Sequence, residues 1–578
     1  MNNPKNRIPQ YASYILILLW GIACFAFFQG WYHYHFFYQE QNQLFLWSSD
    51  YLSTYFSKPA WFACMSGDFL TQFYYYLFAG PAILTVSLLI LGDLCRRSLQ
   101  KAGIQSHPLT TGIAIIIMTI EALFSLHYDY RLSSIIAFAG GTGTFLVSTF
   151  ILTRCRKWVS KTEKRHEKHI IIAGIGLPHW LSFLSIAIST PVCFWLFGYG
   201  VWIYAVLVIV GCILNIKESG NYLRTAALIL PLFLLMLSKR SYYLDFETLY
   251  AYPGMGEFVK PQLDLEKTFA VSDEYYFGNY NKVVKIVEED ESPNPYMKFY
   301  YNLVMAQRGI LPDKLLAFPG NNLGTFEKVG PDTPTLTILT INELYWLLGD
   351  MTFAERATIL ANVMSPDKRN IRFTKRLAEI NLVSGNQNAA EKYLYILQKT
   401  FVYKNWANQM LDALDADNRH AVNHQADTGS LTQVTYSSST LRSYQEKAKF
   451  INKKDTLRLG DNGYTIMQEL LESNPENHIA LDYLLCSDLL LKDMETFKHD
   501  YDTYYLKQKN PHYEKLYQEA LMIYLAGTNA PQEEWQKYIK RIDIMQRFEQ
   551  YSQQRGSSAF ADTYWYYFDK GTAPKLKN

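Results

Sequence analysis

Three carboxylates lie in an aromatic stretch that connects the first two apolar segments of the chain. The stretch runs from His33 to Asp68 and contains Glu40 and Asp50, and eleven of its 36 residues are Phe, Tyr or Trp. We expect Asp68, its last residue, to cap the second span. A carboxylate within hydrogen-bond reach of a hydroxyl can remove its proton as a general base. At a membrane surface, such carboxylates would meet the headgroup of a lipid-linked molecule. We expect chemistry here, with the alternative that Glu40 is an interfacial residue that only faces water.

A second group of ionisable residues surrounds the end of the third apolar segment. Glu121 lies near that end, and the short loop after it contains His127, Asp129 and Arg131. A charge buried in hydrocarbon is costly unless it meets a partner or water, so such residues are candidates for function. The functional interpretation places Arg131 against a phosphate and Asp129 beside the aromatic stretch. A local ion pair between Asp129 and Arg131 is the alternative.

A helix in the aromatic stretch is needed to position the carboxylates. Apolar residues between Leu44 and Phe56 recur at helical spacing, which predicts a helix lying flat at the membrane surface. Pro59 then ends this helix. His33 and His35 stand at its entry, where they either steady a leaving phosphate or belong to the aromatic belt of the first span.

Seven segments are long and apolar enough to cross a hydrocarbon core of about 30 Å, which needs roughly 20 residues. They run from Tyr11 to Trp31, Phe69 to Gly92, Leu109 to Leu126, Ser133 to Leu152, Ile170 to Phe197, Val201 to Ile216 and Thr225 to Leu237. The pattern predicts a transmembrane domain over residues 1–240, with the amphipathic first outer loop at 33–68.

The distribution of charge predicts the orientation. Lys and Arg collect at the N-terminus and in every second connection, which places those segments in the cytoplasm. With seven spans, the aromatic stretch and everything after residue 240 then lie outside the cytoplasm. The 55 Lys plus Arg against 53 Asp plus Glu leave no net basic surface, so we expect no nucleic-acid partner.

Residues 241–578 show the pattern of a helical repeat domain. Turns with small or polar residues recur at multiples of about 35 residues, the period of tetratricopeptide-like helix pairs. They are Phe277-Gly278-Asn279, Leu348-Gly349-Asp350, Ser384-Gly385-Asn386, Lys492-Asp493 and Ala526-Gly527. Stacked pairs leave a concave surface, which predicts an extracytoplasmic protein or peptide as partner. A polar run at 415–439 without periodicity predicts an insertion. The fold class is therefore all-α.

This plan resembles the GT-C superfamily of glycosyltransferases, which use polyprenyl-linked sugar donors. In that superfamily the first outer loop carries the catalytic carboxylate, and a multi-span bundle and a soluble extracytoplasmic domain follow. The composition also resembles a group of membrane proteins from Bacteroidota, which implies a bacterial inner membrane with the N-terminus in the cytoplasm and the second half of the chain in the periplasm. The resemblance implies transfer of a glycan from a polyprenyl-linked donor to exported protein, as in an O-oligosaccharyltransferase. It implies Glu40 and Asp50 as catalytic residues and His33, His35 and Arg131 as ligands of the donor phosphate. Glu121, His127 and Asp129 are further candidates on the outer face.

The sequence departs from the GT-C pattern at the carboxylate itself. Many members have two neighbouring acidic residues in this loop, whereas here Glu40 is followed by Gln41, Asn42 and Gln43. A divalent metal therefore lacks its usual paired acidic motif, and both the metal and any other cofactor stay open. Glu40 could act alone as a base.

A different class of function is a non-catalytic scaffold. In that hypothesis, the membrane domain is an anchor and the repeat domain gathers partners of an envelope assembly. Motifs of other enzyme classes, such as GxSxG, HExxH or a phosphate-binding loop, do not occur in the sequence. A pocket that collects Glu40, Asp50 and Arg131 would favour the transferase over the scaffold.

Overall fold

The structure is a computed structural model. It describes residues 7–166, 171–172, 175–214, 261–324, 333–365, 369–424, 438–452, 463–509 and 511–574. The chain divides into two compact units, Met1–Glu266 with Lys399–Val402, and Lys267–Gln398 with Tyr403–Asn578. The described residues are almost entirely helical, which confirms the all-α fold class. One antiparallel pair of two-residue strands, β1 (Ile171–Ile172) and β2 (Ile175–Gly176), interrupts the helices.

The described part of the first unit contains nine helices. They are α1 (Arg7–Trp31), α2 (Tyr34–Gln41), α3 (Ser49–Phe56), α4 (Trp61–Thr71), α5 (Ala79–Ala102), α6 (His107–Phe124), α7 (Leu132–His166), α8 (Leu177–Phe197) and α9 (Gly200–Leu214). Helix α5 packs against α1, α6, α7 and α9. Its residues Leu84, Leu88 and Leu91 are buried in this packing.

Four of these helices are long and apolar enough to cross a membrane, which marks the chain as a membrane protein. The four segments are Tyr11–Trp31, Ala79–Ala102, His107–Phe124 and Leu132–Cys155. The fifth and sixth predicted spans correspond to shorter apolar helices, Leu184–Phe197 and Gly200–Leu214. The seventh, from Thr225 to Leu237, lies outside the described residues.

The second span begins ten residues later than the sequence predicts. Phe69 belongs to the end of α4, a 3₁₀ turn follows at Gln72–Tyr75, and the spanning helix α5 starts at Ala79. Pro81 therefore stands in the first turn of α5, where backbone N–H groups have no acceptor within the helix. A proline is tolerated there, so the chain breaks before it rather than kinking at it.

The aromatic stretch contains α2, α3 and most of α4 instead of the one predicted helix. The predicted helix from Leu44 to Phe56 is present only from Ser49, as α3, and it ends three residues before Pro59. Before Ser49 the chain makes other hydrogen bonds, since the Trp47 N–H donates to the carbonyl oxygen of Lys399 at 2.7 Å. The helix that carries Glu40 is α2, which the periodicity did not predict.

Glycines allow α7 and α9 to approach closely. A Cβ atom at Gly141 would overlap the carbonyl oxygen of Gly200, and one at Gly200 would overlap the carbonyl oxygen of Ala137. Small residues at such crossings let helix backbones pack directly in membranes.

From Leu263 onward the described chain forms short helices. They are α10 (Leu263–Tyr276), α11 (Tyr280–Glu288), α12 (Pro295–Gln307), α13 (Leu311–Lys314), α14 (Thr335–Leu348), α15 (Met351–Met364), α16 (Ile371–Val383), α17 (Gln387–Gln398), α18 (Lys404–His424), α19 (Arg442–Ala448), α20 (Gly463–Ser473), α21 (His478–Leu491), α22 (Met494–Asp500), α23 (Lys515–Gly527), α24 (Gln532–Tyr538), α25 (Ile542–Gln553) and α26 (Tyr564–Lys570).

Helices of the second unit end at the predicted turns. Gly278, Gly349 and Gly385 follow α10, α14 and α16 with φ of 75°, 93° and 73°, the left-handed conformation that ends helices at low cost. Lys492 takes the same conformation after α21, with φ of 60°. Gly527 is the last residue of α23.

The predicted insertion at 415–439 is helical in its first part. Helix α18 continues to His424, although the sequence there is polar and lacks helical periodicity. Asp417 is buried, and its Oδ1 accepts the Ser438 N–H at 3.1 Å. Residues 425–437 lie outside the described part of the chain.

Candidate functional site

Glu40 lies on a short helix that is buried on nearly all sides. Helix α2 has only eight residues, and six of them are buried. Glu40 is 1% exposed, as is Gln41 beside it. The structure thus removes Glu40 from bulk water, which argues against a residue that simply faces solvent. A buried carboxylate needs a specific partner, so the surroundings of Glu40 are set by the fold rather than by solvent.

The first turn of α2 is capped by a residue far along the chain. His33 occupies the N-cap position, and its side chain makes no capping hydrogen bond. Instead, Glu266 accepts the backbone N–H of Tyr34 at 2.5 Å and that of His35 at 3.2 Å. A carboxylate at a helix N-terminus satisfies N–H groups that lack acceptors and meets the positive end of the helix dipole.

The same carboxylate lies beside the His35 ring. Both residues are buried, and the His35 Nδ1 is 3.4 Å from a Glu266 oxygen. This places a negative group next to a side chain that the sequence assigned to a phosphate. His33 is half-buried, and its ring centroid lies 4.0 Å from that of Tyr34. The phosphate role of the two histidines stays a prediction.

Helix α2 adjoins the loop that contains Arg131. The Gln39 side-chain amide donates to the carbonyl oxygen of Tyr130 at 3.2 Å, and the rings of Tyr38 and Tyr128 are 5.7 Å apart. Arg131 itself is half-buried. The structure therefore brings together two segments that the sequence placed on one side of the membrane, the one with Glu40 and the one with Arg131.

Glu121 holds this loop through a hydrogen bond. The Tyr130 hydroxyl donates to the Glu121 carboxylate, and both residues are buried. His127 stacks on Tyr128 with centroids 5.0 Å apart, and its Nδ1 accepts the backbone N–H of Asp129 at 3.4 Å. Glu121 and His127 thus position the turn, whereas Asp129 is exposed at its tip.

Asp50 occupies a different environment from Glu40. It is exposed in the first turn of α3, where the Ser49 hydroxyl donates to it at 3.4 Å. Asp68, at the end of the aromatic stretch, accepts the Tyr55 hydroxyl at 2.6 Å. It lies within α4 and does not cap the second span, which starts at Ala79. Sequence spacing does not indicate the bond to Tyr55, which is thirteen residues away on another helix.

Among the residues that the structure describes, no group of three or more His, Cys, Asp or Glu side chains could hold a metal ion. The loop with Glu40 therefore offers no metal-ligating cluster in its described part.

A second group of charged residues, in the second unit, was not found from the sequence. Glu343 on α14 accepts from Arg372 at 3.0 Å and from Arg376 at 2.7 Å, and all three side chains are at most 10% exposed. On α16, Glu379 lies 3.2 Å from Lys375 and 3.3 Å from Arg376. The available signal was the spacing of residues 372, 375, 376 and 379, which puts them on one helix face.

Aromatic rings surround these charges. The Arg376 guanidinium lies 4.4 Å from the Trp346 ring centroid, and Lys447 on α19 lies 4.7 Å from the same centroid. Lys375 lies 4.9 Å from the Tyr276 ring and 5.2 Å from the Trp406 ring. We call these residues the cation–aromatic cluster: Tyr276, Glu343, Trp346, Arg372, Lys375, Arg376, Glu379, Trp406 and Lys447.

The fold and the two sites define an all-helical membrane protein with a second unit of short helices. The chain belongs to DUF6057, a family of unknown function, whose model matches residues 7–264 and 254–571. No curated protein and no solved structure matches the chain.

Proposed function

We propose that this protein is a membrane glycosyltransferase that transfers a glycan from a polyprenyl-linked donor to an exported protein. The observation that carries the proposal is the burial of Glu40 on α2, beside the loop that contains Arg131. Transfer of a sugar to a hydroxyl requires a base for the hydroxyl proton and a cation for the leaving phosphate, and these two neighbouring segments carry one of each.

The proposed step uses Glu40 as the general base. Its carboxylate takes the proton of the acceptor hydroxyl while the acceptor oxygen forms a bond to the anomeric carbon of the donor sugar. The bond between that carbon and the donor phosphate breaks, and the phosphate leaves with the electron pair. Arg131 and His33 stabilise the negative charge on the leaving group.

The proposal includes the arrangement in the membrane. In it, seven spans place the N-terminus in the cytoplasm and the second unit in the periplasm, where the short helices act as a tetratricopeptide-like array that receives the acceptor protein. The described helices long enough to span, together with the positions of the turns, support this arrangement.

The experiment compares Glu40→Gln with Asp50→Asn in cells that lack the native gene. The amide keeps the shape of the Glu40 side chain and cannot accept a proton, so we expect loss of the glycoprotein pattern and accumulation of the lipid-linked donor. Asp50→Asn, on the exposed face of α3, should retain most of the transfer. Equal amounts of each protein in the membrane are the control. Normal glycosylation with Glu40→Gln would refute the enzymatic proposal.

The second candidate is a membrane-anchored scaffold that gathers partners of an envelope assembly. The cation–aromatic cluster supports it, because half-buried charged and aromatic side chains are frequent in binding surfaces. If the protein is a scaffold, the Glu40→Gln variant should retain its associated proteins. Deletion of the gene should then leave the glycoproteins of the cell unchanged.

A further inference from the structure

The cation–aromatic cluster holds more positive than negative charge. Four cationic side chains, Arg372, Lys375, Arg376 and Lys447, share two carboxylates, Glu343 and Glu379. Each carboxylate contacts two of the cations, Glu343 with Arg372 and Arg376, and Glu379 with Lys375 and Arg376. Burial makes an uncompensated charge costly, so this excess favours an additional anion.

The excess charge is at Lys447. In the described part of the chain no carboxylate forms an ion pair within 4 Å of its Nζ, and Arg376 lies against the same indole ring. Burial and the positive charge of Arg376 together lower the pKa of Lys447 to about 8, against the opposing effect of Glu343 and Glu379. Two cations flanking one Trp346 ring leave the position beside Lys447 attractive to a negative group.

The existing contacts show which anion the cluster suits. Glu343 and Glu379 demonstrate that carboxylates fit between these cations with ion-pair distances of 2.7 to 3.3 Å. Glu343 and Arg372 are buried. Trp346, Trp406 and Lys447 are half-buried, so these three side chains are partly open to a ligand. Half-buried indole rings offer apolar surface to the residues on either side of a bound carboxylate.

We propose that the cation–aromatic cluster binds an acidic segment of a protein partner, with a Glu or Asp side chain of that segment beside Lys447 and Arg376. Charge complementarity selects the acidic residue, and the rings of Trp346 and Trp406 contact its neighbours. This deepens the proposed function, because it gives the chemistry of the protein that the second unit receives. The two can fail separately, since the test below measures binding without any glycan transfer.

The test uses the full-length protein in lipid nanodiscs and two synthetic peptides. One alternates Glu with Ser and Tyr, and the other has Gln in place of every Glu. We expect the acidic peptide to quench tryptophan fluorescence saturably, the Gln peptide to bind at least about tenfold more weakly, and added salt to weaken the acidic peptide. Equal binding of the two peptides, or no binding of the acidic one, would overturn the proposal.

Lys447→Gln locates the binding to the cluster. Loss of a charged contact should weaken the acidic peptide about tenfold, while Lys404→Gln, an exposed lysine on α18, should leave binding unchanged. Because Lys447→Gln removes an uncompensated cation, its unfolding temperature should not fall, so weak binding cannot be ascribed to misfolding. Unchanged binding in this variant would contradict the proposed position.

Inorganic phosphate is the third ligand to be tested. If phosphate competes with the acidic peptide at concentrations as low as those of the peptide, the cluster is a phosphate site and the proposal of an acidic protein segment is wrong.

Discussion

The Glu266 carboxylate lies 2.5 Å from the backbone nitrogen of Tyr34, across 232 residues of sequence. It thereby caps the helix that carries Glu40, since no side chain at the N-cap position of α2 does so. An eight-residue helix is too short to be stable by itself. The position of Glu40 consequently depends on a residue at the end of the first unit.

Glu266→Gln should loosen α2 and reduce the proposed glycan transfer without any change to Glu40. An amide oxygen can still accept one N–H, but it carries no charge for the helix dipole or for His35, so we expect a loss of about 1 kcal/mol in stability. Thermal unfolding and the glycoprotein pattern measure the two effects. Glu291→Gln, an exposed glutamate, is the control. Full activity in Glu266→Gln would show that the cap does not position the site.

Glu343 should be far more important for stability than Glu379. Burial alone would raise the pKa of Glu343, but Arg376 and Arg372 outweigh it and lower that pKa. Glu343→Gln removes the carboxylate that pairs with buried Arg372 and leaves Arg376 with Glu379 alone, which costs about 3–5 kcal/mol. Glu379→Gln breaks half-buried pairs and should cost about 1 kcal/mol or less. Denaturant unfolding or limited proteolysis of the second unit measures the difference, and similar losses in the two variants would contradict the prediction.

Asp488 should make the second unit less stable as the pH rises. The residue is fully buried, and burial together with the charge of Asp500 raises its pKa to about 9, although a hydrogen bond from Tyr464 opposes the shift. The folded state therefore holds a proton that the unfolded chain has lost above its own pKa of about 4. Stability from this group is complete below about pH 4 and falls as the pH rises to about 9.

Asp488→Asn tests this dependence. The amide cannot ionise, so near pH 9 the variant should unfold at a higher temperature than the wild type. Its free energy of unfolding should be larger there by more than about 1 kcal/mol, and this difference should narrow toward pH 5. Exposed Glu549→Gln is the control. A variant that is equally less stable at every pH would mean that Asp488 contributes through packing rather than through its proton.

Gly141 and Gly143 differ in what an added methyl group would meet. At Gly141 it would overlap the backbone of Gly200, whereas at Gly143 nothing lies within 4 Å. Gly141→Ala should therefore destabilise the first unit by about 1–3 kcal/mol. Gly143→Ala, two residues along the same helix, should be neutral or stabilising by up to about 1 kcal/mol. Thermal unfolding in detergent gives both values, and the opposite order would exclude the close crossing of α7 and α9.

Much of the helical arrangement follows from local sequence. The apolar segments from Tyr11, Leu109 and Ser133 correspond to spanning helices, because length and hydropathy are properties of neighbouring residues. The turns at Gly349 and Gly385 also lie where the sequence predicted them, since glycine takes a positive φ more easily than other residues.

The tertiary structure decided what each charged residue does. Glu40 and Asp50 look alike in the sequence, yet one is buried on α2 and the other is exposed on α3. The partners of the buried charges are distant in sequence: Glu266 for His35, and Glu343 for Arg372. The cost of burying a charge depends on which groups surround it after folding. Periodicity and hydropathy, which report only on neighbouring residues, contain no information about those groups.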